Sequence, residues 1–252
     1  MTKIIIVGCN GRMGRMITEL SMDDTIDATV VAGVDILNNR DTPYPVFTDI
    51  ADCDIDADVI IDVSSAKDVE RRMDYAVDKQ LPVVLCSTGL SDEQLKYVTK
   101  ASHKVAVLKS ANMSLGINLL MKLVKEATAK LADNGFDIEI VEKHHNQKLD
   151  APSGTALALA DSVNEAAGDR YEYVFDRSKV RQKRDKKELG ISAVRGGTIV
   201  GDHDVIFAGT DEVITLSHMA YSRAVFAKGA ITAAKFLNGK GAGYYDMADV
   251  LM

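Results

Sequence analysis

An apolar run, Ile4-Ile5-Ile6-Val7, passes directly into the glycine-rich stretch Gly8-Cys9-Asn10-Gly11-Arg12-Met13-Gly14. This junction constrains the fold more than any other feature, because it predicts a buried strand, a tight turn and then a helix over residues 12–20. Glycines at such a turn let the backbone approach the pyrophosphate of a dinucleotide, which lies at the helix N-terminus. The spacing is GxxGxxG instead of the usual GxGxxG, and a tight turn that binds no ligand is the alternative.

Asp35 supplies the second element of a dinucleotide site. It follows a strand predicted over residues 29–34 and lies 21 residues beyond Gly14, close to the offset at which a carboxylate binds the ribose hydroxyls. Its neighbour is Ile36, and the nearest positive charge downstream is Arg40. Because a carboxylate repels a 2′-phosphate, we expect NADH to be used at least as well as NADPH.

The N-terminal region alternates apolar bursts with amphipathic stretches, which is the pattern of a parallel sheet covered by helices. Strands are predicted over residues 4–8, 29–34, 59–63, 83–86 and 105–109, and helices over residues 12–20, 67–79 and 92–102. Residues 42–45 and 49–58 are predicted to be loops, and Ser91 with Gln94 is predicted to form a capping box. The fold class is therefore α/β, with an N-terminal Rossmann-type doubly wound parallel sheet.

The pattern changes after Ala111 and indicates a C-terminal α+β domain with a mixed or antiparallel sheet. Helices are predicted over residues 117–132, 155–167 and 223–237, and strands over residues 136–142, 191–194, 198–208 and 212–219. The last three strands are predicted to be successive and antiparallel, with turns at Gly196-Gly197 and at residues 209–211.

The segment 144–156, with the sequence HHNQKLDAPSGTA, has the highest density of reactive groups in the chain. Ser153 is a good N-cap, so the N–H groups of the next two residues lie at the positive end of a helix dipole and favour an anion. Lys148 adds a positive charge, and the two histidines can transfer protons near neutral pH. The candidate residues here are His144, His145, Lys148, Ser153, Gly154 and Thr155. The alternative is a polar loop that only caps a helix.

Two further segments follow predicted strands, Ser87-Thr88-Gly89 and Ala111-Asn112-Met113. Ligands of open parallel sheets bind outside the carboxyl ends of the strands, so we expect these segments to hold the nicotinamide ribose and carboxamide. Each alone is also an ordinary turn signal. The predicted cofactor-binding residues are Gly8, Asn10, Gly11, Arg12, Met13, Gly14, Asp35, Ser87, Thr88, Gly89, Ala111, Asn112 and Met113.

Composition limits the partners. The net charge of −7 disfavours nucleic acid, and the basic residues of segment 177–187 lack interleaved aromatics and are predicted to lie in a solvated loop. No apolar run approaches the roughly 18 residues of a membrane span, and no signal-peptide pattern is present. Three widely spaced cysteines argue against disulfides or a metal site. We expect a cytoplasmic protein with no nucleic-acid, membrane or metal partner.

Together these segments resemble the dihydrodipicolinate reductase (4-hydroxy-tetrahydrodipicolinate reductase) family of bacterial lysine and diaminopimelate synthesis. The most specific match is the double histidine with Lys148 and Pro152-Ser153-Gly154-Thr155. The other matching segments are the glycine turn, Ser87-Thr88-Gly89, Asn112-x-Ser114-x-Gly116-x-Asn118, Arg195-Gly196-Gly197 and Val200-Gly201-Asp202-His203. Ile36 and Met113 depart from the family, in which Arg and Phe are common at these positions.

The resemblance implies an NAD(P)H-dependent oxidoreductase that reduces 4-hydroxy-tetrahydrodipicolinate to tetrahydrodipicolinate. It implies a dinucleotide-binding domain of residues 1–112 and 220–252, and a substrate-binding and oligomerisation domain of residues 113–219 whose sheet assembles a homotetramer.

The resemblance also assigns roles to individual residues. His144 is the implied proton-transferring group and Lys148 its cationic partner. Backbone and hydroxyl donors of residues 154–155 are implied to bind a substrate carboxylate, assisted by His145, and Arg12 is implied to lie near the cofactor phosphates.

Three other functions share part of this pattern. An amino-acid or semialdehyde dehydrogenase would have the glycine turn and Asp35 but would not need the His-His-x-x-Lys segment. A non-catalytic nucleotide sensor and a methyltransferase are also compatible with the glycine turn. The remaining histidines, His103, His203 and His218, are interpreted as structural residues held by local hydrogen bonds.

Overall fold

The computed structural model describes residues 1–37 and 41–252 and divides into two compact units, Met1–Ser114 with Ala224–Met252, and Leu115–Arg223. The strands are β1 Thr2–Val7, β2 Ala28–Val34, β3 Val46–Phe47, β4 Val59–Asp62, β5 Val83–Leu85, β6 Ala106–Lys109, β7 Asp137–His144, β8 Glu172–Val174, β9 Glu188–Arg195, β10 Gly201–Ala208, β11 Val213–Ala220 and β12 Gly243–Tyr245. The helices are α1 Arg12–Leu20, α2 Val69–Lys79, α3 Asp92–Ser102, α4 Leu115–Leu131, α5 Gly154–Ala166, α6 Ala224–Leu237 and α7 Met247–Val250. Within residues 1–37 and 41–252, no helix is long and apolar enough to cross a membrane.

The first unit is built on a parallel sheet with the strand order β12-β6-β5-β4-β1-β2-β3. Its central strands are apolar except at their ends, and Ile4, Ile5 and Ile6 are fully buried, because helices cover both faces of such a sheet. The small side chains of α6 let this helix pack closely, and Ala227 and Ala230 are fully buried. The Rossmann-type parallel sheet is confirmed. β3, β12 and α7 were not predicted because two to four residues carry too little periodic pattern.

The second unit has a mixed sheet with the order β11-β10-β7-β9-β8. β7 is the middle strand, and its alternation places Ile138 and Ile140, both fully buried, in the core beside α4 and α5. β10 runs antiparallel to both β7 and β11, whereas β9 runs parallel to β7 and to β8. The α+β class with a mixed sheet is confirmed.

The predicted antiparallel pairing of residues 191–194 with residues 198–208 is wrong, because β7 lies between β9 and β10. After β9 the chain stays bonded to the end of β7. The N–H of Gly196 donates to the carbonyl of His144 at 2.9 Å, and the N–H of Asn146 donates to the carbonyl of Gly197 at 3.2 Å. The two glycines therefore belong to a crossover around the end of β7 instead of a hairpin.

Segment 177–187 is a loop in which every residue except Arg184 is exposed, as predicted, but two of its arginines are paired with carboxylates of the sheet. Arg177 donates to both oxygens of Glu139, at 3.0 and 2.7 Å, and to Glu188 at 2.9 Å. Arg184 also donates to Glu139, at 2.9 Å. Glu139 of β7 and Glu188 of β9 thus bind two arginines of the segment to the sheet. Composition alone does not indicate which carboxylate each arginine meets.

Candidate active site

The glycine turn of the first unit fits a dinucleotide. Helix α1 starts after its N-cap residue Gly11, and among the described residues no side chain caps it, so its first N–H groups can bind an anion such as pyrophosphate. A Cβ on Gly14 would lie 2.3 Å from the carbonyl oxygen of Gly8, so only glycine fits there. Gly8 itself has φ +85°, a conformation that favours glycine.

Asp35 is held at the end of β2 by backbone donors. Its Oδ2 accepts from the N–H of Asn10 at 2.9 Å, and its Oδ1 accepts from the N–H of Leu37 at 3.2 Å. The carboxylate lines a cavity of 620 Å³, a size usual for small-molecule and cofactor sites. Ile36 lines the same cavity and is 86% exposed. Arg40 lies outside the described residues.

The ends of β4 and β5 are joined by a buried carboxylate that the sequence did not single out. Asp62 is fully buried and accepts from Arg72 Nε at 2.6 Å, from Ser64 Oγ at 2.6 Å and from Ser87 Oγ at 3.3 Å. The hydroxyl of Ser87, which is predicted to bind cofactor, is thus used inside this network. Residues 88–89 beside it are exposed.

The other predicted cofactor residues differ in exposure. Arg12 and Ala111 are exposed, whereas Asn10, Met13 and Asn112 are half-buried. Met113 is 7% exposed, and a Cβ on Gly229 of α6 would lie 1.7 Å from its carbonyl oxygen. The side chain of Met113 is therefore part of the packed interior, and the strand-end position alone did not reveal this.

In the second unit, His144 is the last residue of β7 instead of the first residue of a loop. Glu142 lies two residues earlier and therefore on the same face of the strand. Its Oε2 is 2.6 Å from His144 Nδ1. A strand thus fixes the position of the imidazole that the sequence identified as the proton-transfer candidate.

Glu142 is fully buried and has four hydrogen-bond donors around it. Arg195 donates one nitrogen to each carboxylate oxygen, both at 2.7 Å, and the N–H of Ser153 donates to Oε1 at 2.9 Å. His144 is the fourth partner. Burial alone would raise the pKa of Glu142, but the hydrogen bonds from Arg195, His144 and Ser153 outweigh it, and the pKa lies below its ordinary value.

His203 belongs to the same cluster of side chains as Glu142 and His144. Its ring lies edge-on to that of His144, with centroids 5.1 Å apart, and its Nε2 is 3.2 Å from Ser153 Oγ. Burial, followed by the nearby His144, lowers the pKa of His203 to about 4, so the ring is neutral at pH 7. His203 is buried and hydrogen-bonded, as expected of a structural histidine, but its partner lies 50 positions away along the chain.

The predicted anion-binding turn lies at the start of α5. Ser153 caps α5 as predicted, its Oγ accepting from the N–H of Ala156 at 3.1 Å. Gly154 is exposed and Thr155 half-buried at the start of the helix. Lys148 Nζ lies 2.9 Å from Asp150 Oδ1.

His145 lies in a strongly cationic environment. Its pKa is lowered by partial burial first, and then by the positive charges of Arg223, Lys148 and Arg195 together with the neighbouring His144. The ring is therefore neutral near pH 7, and the cations around it provide the positive potential that a carboxylate ligand needs.

Sequence reasoning missed Glu142, Arg195, Gly201 and His203 as members of one cluster. Glu142 carried a local signal, since it precedes His144 by two positions in a predicted strand. The others depend on sheet register. Gly201 lies beside His144, and Arg195 pairs with it on the other side, contacts that no short motif encodes.

The fold and the two sites are typical of Rossmann-type oxidoreductases that carry a second unit with a mixed sheet. The family model for the N-terminus of dihydrodipicolinate reductase matches residues 2–113, and the model for its C-terminus matches residues 116–251. The chain therefore belongs to the dihydrodipicolinate reductase family.

Individual relatives agree along the whole length. The chain is 51% identical to the 4-hydroxy-tetrahydrodipicolinate reductase of Caldanaerobacter subterraneus subsp. tengcongensis, covering 100% of this chain and 98% of the relative. It is 48% identical to that of Clostridium tetani, covering 98% and 96%. Among solved structures, dipicolinate-bound dihydrodipicolinate reductase from Paenisporosarcina sp. TG-14 matches with a TM-score of 0.82 and 24% identity, over 98% of this chain and 97% of that one, which supports the fold.

Proposed function

We propose that this protein catalyses the NAD(P)H-dependent reduction of 4-hydroxy-tetrahydrodipicolinate to tetrahydrodipicolinate in lysine and diaminopimelate biosynthesis. The observation that carries the proposal is the cluster in the second unit. In it, the proton-transfer candidate His144 and the first turn of α5 at Ser153 are both hydrogen-bonded to the buried carboxylate of Glu142. A dehydrogenase that shares only the dinucleotide-binding fold would not require this arrangement.

The first unit would hold the cofactor through the residues described above. The N-terminal N–H groups of α1 would bind the pyrophosphate, Asp35 the ribose hydroxyls, and the exposed residues 88–89 and Ala111 the nicotinamide end. When bound, the reduced nicotinamide supplies the hydride. The task of the chain is to orient it.

The second unit would bind a dicarboxylate through fixed positive potential in a chain whose net charge is −7. Lys148 lies 2.9 Å from Asp150. We propose that a substrate carboxylate replaces Asp150 as the partner of Lys148 and also accepts hydrogen bonds from the N–H groups of Gly154 and Thr155. His145, neutral at pH 7, would donate a further hydrogen bond.

His144 would deliver the proton. Hydride addition to a conjugated imine leaves negative charge on the substrate, which a nearby acid must neutralise. His144 is 8% exposed, so few water molecules can compete for its proton. Lys148 would stabilise the same developing charge electrostatically.

The test is to follow NADH oxidation with freshly condensed pyruvate and aspartate semialdehyde. We expect turnover, and pyridine-2,6-dicarboxylate should raise the melting temperature when NADH is present. A sensor would bind the dinucleotide but show no response to this analogue, and a methyltransferase would bind S-adenosylmethionine in competition with NADH. Absence of turnover by a folded, NADH-binding protein would contradict the proposal.

The same assay tests cofactor preference. We propose that NADH is used at least as well as NADPH, because the backbone-held carboxylate of Asp35 repels a 2′-phosphate and Ile36 offers no compensating charge. A hundredfold advantage of NADPH in kcat/KM would contradict this interpretation of Asp35.

We also propose that the second unit assembles a homotetramer through the sheet face opposite α4 and α5. This face exposes apolar side chains on several strands, which favours association: Val141, Val194, Ile206, Val213 and Met219. Light scattering should give four times the chain mass, and Ile206→Asp should lower it. A monomeric native protein would exclude this assembly.

A further inference from the structure

We infer that Glu142 is a positioning residue that fixes both the tautomer of His144 and the start of the substrate-binding turn at Ser153, and that Gly201 keeps the space at His144 Nε2 open. The inference rests on the proposed role of His144 as proton donor. It adds two residues, one on each side of the imidazole, that determine which nitrogen carries the mobile proton.

The hydrogen bonds of Glu142 exclude a direct chemical role. An ionised carboxylate offers about four acceptor positions, and the donors found are two nitrogens of Arg195, His144 Nδ1 and the Ser153 N–H. All four positions are therefore filled by the protein. The buried group has no acceptor position left for substrate or water, and it acts on the reaction only through the groups that it holds.

The same bonds determine the tautomer of His144. Because Glu142 is ionised, it can only accept, so His144 Nδ1 must carry a proton at their 2.6 Å separation. The mobile proton is then confined to Nε2. An orienting carboxylate behind an imidazole plays this part in hydrolytic triads, where its amide replacement selects the wrong tautomer.

Gly201 acts on the opposite edge of the ring. A Cβ at this position would lie 3.0 Å from His144 Nε2 and 3.4 Å from its Cδ2. This separation is tighter than most Cβ contacts, so the ring would have to move by a few tenths of an ångström from the position in which it bonds to Glu142. The absence of a side chain at residue 201 therefore leaves Nε2 free to face a reacting atom.

The first test is Glu142→Gln, with Glu139→Gln as its matched control. A glutamine at residue 142 presents an amide NH₂ where two donors already converge, so it cannot accept all four bonds. Glu139 lies on the same strand and also binds arginine side chains, but it has no hydrogen bond to an imidazole. Nitrogen NMR of the imidazoles, with His144→Asn used for assignment, should show Nδ1 protonated in the wild type and the control, and Nε2 protonated in Glu142→Gln.

Kinetics provide the second readout. We expect Glu142→Gln to lower kcat by about 10²-fold, the lower range for loss of general acid catalysis, while KM for NADH stays within about twofold because the cofactor residues lie in the other unit. Glu142→Asp should recover part of kcat, since it restores the anion. The NMR result does not depend on turnover, so it separates failure of this inference from failure of the proposed reaction.

Gly201→Ala covers the case in which Glu142→Gln does not fold. We expect it to lower kcat by about tenfold or more by displacing the ring, whereas Gly241→Ala, whose Cβ would meet nothing within 4 Å, should leave kcat unchanged. Unchanged kcat in Gly201→Ala would overturn the role of Gly201. Nδ1 protonation together with near-normal kcat in Glu142→Gln would overturn the role of Glu142.

Discussion

The two units each bury one carboxylate against one arginine, but they use the pair differently. Asp62 and Arg72 join a strand to the following helix, and Arg72 also donates to the carbonyls of Ser65 and Lys67, at 2.7 and 2.6 Å. The pair closes a loop, and the remaining side-chain donors to Asp62 are the hydroxyls of Ser64 and Ser87.

Glu142 and Arg195 join neighbouring strands, and Arg195 likewise binds a loop carbonyl, that of Asp150, at 2.7 Å. Here one of the four donors is an imidazole. A buried carboxylate–arginine pair therefore stabilises a loop in the first unit. In the second unit, by our proposal, a pair of the same kind positions a residue that takes part in the reaction. The buried pair alone therefore does not distinguish the two sites, and our proposal rests on the imidazole that also bonds to Glu142.

The largest expected effect is on turnover and belongs to the second unit alone. His144→Ala and Lys148→Ala should each lower kcat by about 10²–10⁴-fold, the range for acid–base and charge-stabilising groups. Lys143→Ala is the matched control, because Lys143 is the neighbour of His144 on β7 but pairs with Asp204 at 2.9 Å. Normal steady-state turnover in both folded site variants would show that this cluster of the second unit does not take part in the reaction.

The next effect is on stability and belongs to the first unit. Arg72→Met leaves the fully buried Asp62 without its cation, and breaking a buried pair in this way costs about 3–5 kcal/mol. Arg71→Met is the control, since Arg71 pairs with Asp49 but its side chain is 61% exposed, and such pairs contribute about 0–1 kcal/mol. Equal losses for the two variants in urea denaturation would show that Asp62 does not depend on Arg72.

The smallest effect is the pH dependence of stability in the second unit. The pKa of His203 is lowered to about 4 by burial and by His144, so between pH 6.5 and 4 the unfolded state binds a proton that the native state does not. The free energy of unfolding should therefore decrease as pH falls through this range, by roughly 1.4 kcal/mol per pH unit and roughly 3 kcal/mol in total.

His203→Gln should flatten this dependence, and His103→Gln, at the exposed end of α3, should not. Denaturation series at several pH values measure both. A slope that persists in His203→Gln would assign the proton to another group.

Local chemistry was predictable from the sequence. The glycine turn, the Ser153 N-cap and the capping box of Ser91 with Gln94 all form as predicted, because each depends on residues within a few positions of one another. The parallel sheet of the first unit followed from its apolar runs.

Non-local pairing was not predictable. Arg195 reaches Glu142 across 53 positions, and only the insertion of β7 between β9 and β10 brings them together. The ion pairs of segment 177–187 and the internal bonding of Ser87 were not predicted for the same reason, since hydrogen-bond partners in a folded sheet depend on register and not on composition.

The central position of β7 has an evolutionary consequence. Its side chains alternate, with Ile138, Ile140, Glu142 and His144 on one face and Lys143 on the other. Losing or gaining a single residue within this strand would exchange the two faces, turning the imidazole out of its cluster even though every neighbouring letter of the motif survived. Insertions and deletions in this family should therefore occur in the loops between strands and helices and not within β7.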